Sequence, residues 1–568
     1  MNIAELIKVP RIAYFSMEIG IQNTIPTYSG GLGVLAGDTI RSSADLKLPM
    51  VAVTLLTKKG YFQQKLNTTG KQEEYPILWN PSKHMTLLPG KITVKIAGRD
   101  VFVQAWQLNV VSLTGGSVPI FFLDTDVPEN DPDSREITSF LYGGDKAYRL
   151  KQEIVLGIGG VRMLHALDFE IKKYHMNEGH ASLLTIELLN KFKRPIEHVW
   201  DERLVWDVPR VKEICIFTTH TPVAAGHDKY PYDLVRRILG EILPLEVLKE
   251  LAGRDNLNMT LLALNLSKFI NGVAKKHGEV SRKMFPGYTI SAITNGIHSF
   301  TWTCGSLKKL YDKYLPGWAN EPELLVRVDH IPHAELWNAH REAKKILYDY
   351  IEKTTATTMN LDVLTIGFAR RATAYKRAEL IFTDMDRLEK IGTKTIQFIF
   401  AGKAHPQDKP GKELIEKLFA IKERLKDKVT MAYLENYDMD IALKMVSGVD
   451  IWLNTPLRPM EASGTSGMKA AHNGVVNFST LDGWWIEGHI EGVTGWSIGP
   501  GHRETEPGEN IDTTDANDLY NKLASVIIPL FYKDKHAWIE MMKNAIGKNA
   551  YYFNSHRMMR HYVTEAYL

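Results

Sequence analysis

The second half of the chain carries the rhythm that most restricts its fold. Five short apolar runs, VLTIGFA, TIQFIFAG, KVTMAYL, DIWLNT and VVNFS, are separated by amphipathic segments that start near Tyr375, Gly411, Met439 and Ser466. Apolar strands alternating with helices imply strands buried on both faces of a parallel, doubly wound α/β sheet. Ligands of such sheets bind at the turns beyond the carboxyl ends of the strands, so functional residues are sought there. A chain of 568 residues exceeds what one core can organise. The expected division is an α/β domain over 1–360 with a β-rich excursion, and a Rossmann-like domain over 361–568. A charged helix over 335–360 bridges them.

The first half reads as a strand (11–18), a polar loop, a helix and a second strand (51–56). KITVKIAG, VFVQAWQLNVV and VPIFFLDTD, within 60–130, read as an antiparallel excursion. Residues 134–170 read as a long helical segment broken at Gly143-Gly144, and 258–284 as one helix. That helix leads into TISAITNGIHSFTW, a strand ending in the turn signal Asn295-Gly296. The C-terminus reads as helical runs over 524–532 and 538–562.

Composition narrows the function classes. A net charge of +3 provides no global field for nucleic acid or an acidic membrane, so anions must be held by local clusters. Two cysteines, Cys215 and Cys304, exclude a disulfide framework and suit a reducing cytoplasm. No apolar run reaches membrane-spanning length, and no signal-peptide pattern opens the chain.

The chemistry concentrates in EASGTSGMKAAHNG, residues 461–474, just after the run IWLNTP. Ser463, Gly464, Thr465, Ser466 and Gly467 fall where a strand hands over to a helix. Unpaired backbone N–H groups there, with hydroxyls beside them, suit a phosphate. Lys469 lies one turn in, flanked by Met468, Ala470 and Ala471. Desolvation would ease loss of its proton, as a Schiff-base lysine requires. Glu461, at the entry, can accept hydrogen bonds from sugar hydroxyls. On spacing alone, ordinary helix capping with a solvated lysine is the better reading.

Other turns add candidates. ARRATAYKRAEL places Arg370, Arg371, Lys376 and Arg377 just after a strand, either as a solvated face or as a phosphate clamp. Gly31, Gly33 and Ala36 satisfy GxGxxA. That loop does not directly follow a buried strand and lacks the acidic partner of a dinucleotide site. A glycine-rich backbone that an anion can approach is the better account. KKYHMNEGH carries Asn177, Glu178 and His180, and a strand over 214–219 delivers His220 and His227. With no HExxH and no cysteine cluster, these histidines do not read as a metal site.

Five stretches, SGGLG, NEGH, THT, RRxxxYKR and EASGTSGMK, occur in an order that resembles the α-glucan phosphorylases of the short prokaryotic type, over most of the chain. Departures are small. Ser29 and Val34 replace Asn and Arg of the family's glycine loop, Arg370 and Glu178 replace Lys and Asp, and Ser466-Gly467 stands where animal enzymes have Gly-Asn. The resemblance implies two Rossmann-like domains facing across a cleft, the two-domain glycosyltransferase architecture, with the last helix crossing back to the first domain.

The implied activity is phosphorolysis of terminal α-1,4-linked glucose to α-glucose 1-phosphate, with retention. Pyridoxal 5′-phosphate is the implied cofactor, its phosphate relaying a proton to inorganic phosphate. By the same resemblance Lys469 carries the cofactor, and Arg370, Thr465, Ser466 and Gly467 hold its phosphate. Arg371 and Lys376 bind inorganic phosphate, and the Gly30–Gly31 backbone faces the transferred phosphate. His220, oriented by Glu178, lines the glucose site with Asn295, Tyr375, Glu461, Ala462, Ser463 and Gly464. Lys469, Arg371, Lys376, His220 and Glu461 form the implied catalytic set. A cytoplasmic homodimer without phosphorylation control is expected. The rival reading is a nucleotide-sugar-dependent glucan synthase of the same fold, which would show Lys before the Gly-Gly and have no use for Lys469. A glucan-binding protein with a decayed site is disfavoured because the mapped positions are all filled.

Overall fold

The computed structural model describes residues 9–501 and 510–568, whose strands form two large sheets and two two-stranded sheets. The first half runs β1 (Arg11–Ser16), helix Gly31–Asp45, β2 (Met50–Leu55), and a hairpin of β3 (Gln63–Leu66) and β4 (Gln72–Tyr75). It continues through β5 (Thr86–Leu87), β6 (Ile92–Ile96), β7 (Arg99–Val111) and β8 (Ser117–Asp124) to β9 (Ile171–Asn177) and β10 (Cys215–Thr218). A short pair, β11 (Lys229–Pro231) and β12 (Asn256–Asn258), precedes β13 (Phe269–Gly272) and β14 (Ser291–Ala292). The sheet order is β14-β13-β10-β9-β1-β2-β8-β7-β5, with β6 on β7. It is parallel from β14 to β8. β5 and β6 pair antiparallel with β7, and β7 with β8, so β8, parallel to β2 on its other side, joins the excursion to the parallel sheet.

Two expected helices are broken, and the segment 134–170 divides where its glycine pair predicts. Residues 258–284 hold two helices, Met259–Asn265 and Lys275–Met284, around β13, which pairs with β10 through Ile216↔Phe269. Ladder pairing with a strand distant in the chain outweighs the local helical period. Residues 134–170 divide at Gly143-Gly144 and contain a π turn over Val155–Gly159. The run 538–562 stops where Asn554 accepts the Arg557 N–H and caps helix Ser555–Tyr562.

The second sheet contains β15 (Leu364–Ala369), β16 (Ile396–Ala401), β17 (Met431–Leu434), β18 (Ile451–Asn454), β19 (Val476–Thr480) and β20 (Gly495–Ile498). It is parallel, in the order β17-β16-β15-β18-β19-β20. The order reverses between β15 and β18, and a crevice opens at such a reversal. No long helix starts at Tyr375. A 3₁₀ turn, Ala374–Lys376, ends at Arg377 with φ +47°, and helix Met385–Gly392 follows under the Asp384 cap.

Helix His333–Thr355 packs on helix Met439–Gly448, and its Leu336, Ala339 and Ala343 share the core of the second sheet. The C-terminal helix Ser555–Tyr562 lies on the first sheet instead. Met558, Met559 and Tyr562 pack with Tyr14, Ala52 and Phe122, and the Tyr567 hydroxyl meets His175 Nδ1 at 2.8 Å. Asp45 Oδ2 accepts from His298 Nε2 at 2.7 Å and His556 Nε2 at 2.8 Å, which pins the helix start.

Candidate active site

A cavity of about 540 Å³ lies beyond the carboxyl ends of β15 and β18, with the glycine-rich loop as its opposite wall. Arg370 leaves β15 and donates to Asn454 Oδ1 at 2.8 Å and Glu461 Oε2 at 2.6 Å. Lys376 Nζ reaches the same Glu461 oxygen at 2.5 Å. The Glu461 side chain is 11% exposed. Burial by itself would raise its carboxyl, but Arg370 and Lys376 offset that and hold it below the ordinary value. Its backbone N–H donates to Asp482 Oδ2 at 2.8 Å, and burial pushes Asp482 up to about 7. Arg377, the fourth cation of this turn, points away. It bonds Asp512 and Asp515 at 2.7 Å each and the Thr455 carbonyl at 2.8 Å, a structural role.

Lys469 sits on helix Thr465–His472 and is 7% exposed. Its Nζ lies 4.0 Å from the centroid of the Trp302 ring. Burial lowers the amine to about 8, against the raising effect of Asp38. The helix begins at Gly464, φ +84°, with no side-chain cap bond; the Gly467 N–H donates to the Gly464 carbonyl at 3.3 Å, and Thr465 and Ser466 line the cavity. Ser463 Oγ is buried and unpartnered. Ser466 Oγ accepts from Trp452 Nε1 at 3.1 Å, leaving its backbone as its contribution here. A Cβ on Gly467 would fall 2.5 Å from Asn477 Oδ1 and 2.8 Å from Trp484, so only glycine brings the helix this close to the sheet. A neutralisable lysine, a helix N-terminus without a side-chain cap and Arg370 in one cavity of this volume fit a phosphorylated aldehyde.

The first half supplies the other wall. His220 is half-buried. Its Nε2 meets Asn177 Oδ1 at 2.6 Å, and burial lowers the ring to about 3, so it is neutral. Glu178, expected to orient this ring, instead binds the backbone. It accepts from the His220 N–H at 2.8 Å, the Thr221 hydroxyl at 2.9 Å and the Gly179 N–H at 3.0 Å, and Asn177 orients the imidazole. Asn295 lines the cavity with a buried, unpartnered Oδ1. Arg371 is exposed at the rim, where a Cβ on Gly30 would meet its Nη2 at 3.7 Å. The Gly30 N–H is already engaged: Glu18 Oε2 accepts it at 3.1 Å and the Ser29 N–H at 2.6 Å. Gly31, Tyr375, Ala462 and Thr465 also line the cavity, and Lys376 lies 4.5 Å from the Tyr375 ring.

The arrangement can hold two neighbouring phosphates, because Arg370, Arg371 and Lys376 offset charges that would otherwise repel. Beside it, a second hollow of about 670 Å³, sharing His220, Thr221 and Arg371, runs along Arg149, His180 and Asp228. Glu18, Asp38, Trp302 and Lys403 also shape the site, without a role in the motif reading. The run SME before the glycine loop and the TW of HSFTW are the only local marks of the first and third, and Asp38 and Lys403 have none.

Similarity to known proteins follows the same lines. A family model described as carbohydrate phosphorylase matches residues 241–495. The chain is 40% identical to a maltodextrin phosphorylase of Thermococcus litoralis, across 98% of this chain and 70% of that protein. It is 36% identical to a glycogen phosphorylase of Aquifex aeolicus, across 98% and 86%. A glycogen phosphorylase of Mycobacterium tuberculosis is 37% identical, across 98% and 70%.

Proposed function

Because this chain belongs to the carbohydrate phosphorylase family, we propose that it cleaves terminal α-1,4-linked glucose from a glucan with inorganic phosphate and releases α-glucose 1-phosphate with retention. Pyridoxal 5′-phosphate is held at Lys469. The observation that carries this reading is Lys469 itself: a buried amine lowered to about 8, in the same cavity as the cations Arg370, Arg371 and Lys376.

When bound, pyridoxal phosphate supplies a phosphate group able to exchange a proton with inorganic phosphate. The chain's residues do the rest. Arg370, Thr465 and the backbone of Ser466 and Gly467 bind the cofactor phosphate, and Arg371 and Lys376 bind the substrate phosphate. Without ligands Arg370 and Lys376 share the single charge of Glu461. Arriving phosphates take over those cations and free Glu461 for sugar hydroxyls. Neutral His220, Asn295, Tyr375 and the 462–464 backbone line the glucosyl position, and the hollow along Arg149 and His180 accommodates the rest of the glucan. The proposed division is two Rossmann-like domains, 1–360 and 361–568, facing across the cleft, with the last helix on the first sheet.

The purified chain is expected to absorb in the near ultraviolet. After borohydride reduction the pyridoxyl group should map to Lys469, and maltodextrin with phosphate should yield glucose 1-phosphate. Lys469→Ala should lose both absorbance and phosphorolysis. Stoichiometric covalent cofactor in folded Lys469→Ala would end the proposal.

A further inference from the structure

One wall of the Lys469 site is built on a buried carboxylate. Trp302, whose ring faces the amine, donates its Nε1–H to both oxygens of Asp38 at 2.9 Å each. Asp38 lies mid-helix on Gly31–Asp45 and is 1% exposed. Its nearest cation is Arg41, Nη1 3.8 Å away. A carboxylate accepting the indole N–H makes the ring more electron-rich, and the ring face attracts an ammonium. Carboxylate, indole and amine are thus stacked in series. Burying Asp38 is costly, and burial pushes its own carboxyl up against the opposing charges of Lys469 and Arg41. A core that needed only packing here would carry an apolar side chain.

We propose that Asp38 is a positioning residue for Lys469: acting through Trp302, it holds the amine over the indole face and sets the share of it that is free to attack a carbonyl. The proposal rests on Lys469 being the cofactor lysine. Attack forms a C–N bond and expels one water, and it requires the neutral amine. A carboxylate that favours the ammonium therefore slows premature capture of stray aldehydes.

Other charged or titratable groups surround the pair. Arg41 and His298 lie beside Asp38, His472 follows Lys469 on its helix, and Arg370, Lys376, Glu461, Lys403 and Asp438 line the cavity. The charge that acts on the amine is that of Asp38, which opposes the effect of burial.

The test is trace acetylation of the full chain, cleared of bound carbonyl compounds with hydroxylamine, across about pH 6 to 10, each lysine read by mass spectrometry. Wild-type Lys469 should titrate near 8. Asp38→Asn, which still accepts from Trp302, should lower that midpoint by about one unit, roughly tenfold more labelling at a fixed pH below it. Lys403, half-buried in the same cavity and also lowered to about 8 by desolvation, should not move. Asp38→Ser removes the same charge, keeps an acceptor, and serves if the amide fails to fold. Mere loosening of the structure would raise both lysines toward the ordinary range, the opposite sign. An unchanged Lys469 midpoint, or a joint rise, overturns the proposal. Borohydride trapping of pyridoxal phosphate on another lysine would overturn the cofactor reading instead and leave the acetylation comparison intact.

Discussion

Glu461 carries one negative charge between two positive ones, Arg370 at 2.6 Å and Lys376 at 2.5 Å. Its place in EASGT marks it in the sequence, but its partners stand 91 and 85 residues away and no spacing names them. Glu461→Gln leaves both cations buried with an amide that cannot neutralise them, a loss of about 3–5 kcal/mol in the ligand-free chain. On the proposed assignment inorganic phosphate takes the same cations, so it should raise the melting temperature of Glu461→Gln more than that of wild type. Scanning calorimetry with and without phosphate measures both, and equal phosphate shifts would mean the two anions do not share the cations. The same limit hid Glu18. The glycine loop reads as an open anion site, yet a carboxylate from β1's turn already takes its first N–H groups, because buried donors need acceptors whether or not a ligand is present.

Elements were legible where the signal is local and lost where pairing is distant. The apolar runs of the second sheet became strands close to their expected bounds, because strands buried on both faces are apolar throughout. The local period across β13 is helical, and β20 carries GWSI, too short for a periodic signal. Asn295-Gly296 reads as a turn, and the reason for its glycine is spatial. A Cβ on Gly296 would lie 2.1 Å from the Asn554 carbonyl oxygen, where the C-terminal helix begins. Ile297 and Ser555 clasp that junction, Ser555 N–H to Ile297 O at 2.8 Å and Ile297 N–H to Phe553 O at 3.1 Å. Gly296→Ala pushes backbone against backbone with no rotamer to relieve it, and should cost about 3 kcal/mol. It should also open the chain near 551–554 to protease. A melting curve and digestion pattern like wild type's would show that the junction has slack.

At the scale of the whole molecule, stability varies with two lysines of the cavity, Lys469 buried and Lys403 half-buried. Lys469 and Lys403 are both lowered to about 8 by burial, against 10.5 for a free lysine. The native state therefore releases their protons before the unfolded chain does. The penalty for burying each ammonium is full below about pH 8 and fades as pH rises toward 10.5, so the ligand-free chain gains up to about 3 kcal/mol per lysine across that window. Lys469→Met should flatten the rise of stability between about pH 8 and 10 by its share. Denaturant midpoints for both proteins at the two pH values measure it, and parallel slopes would place the amine in water.

What the linear chain determined by itself is what neighbouring residues decide together. It specified the α/β class, the apolar strands, the strand-to-helix turn carrying Lys469 and the cation-rich turn after β15, since period, turn chemistry and capping act within a few residues. Only the tertiary structure decided that Glu461 is shared by Arg370 and Lys376, that Asn177 and not Glu178 orients His220, that Asp45 pins the start of the last helix, and that Asp38 stands behind Lys469 through Trp302. Those outcomes depend on distance and burial between segments far apart in the chain, and both change electrostatic energies by more than any local preference does.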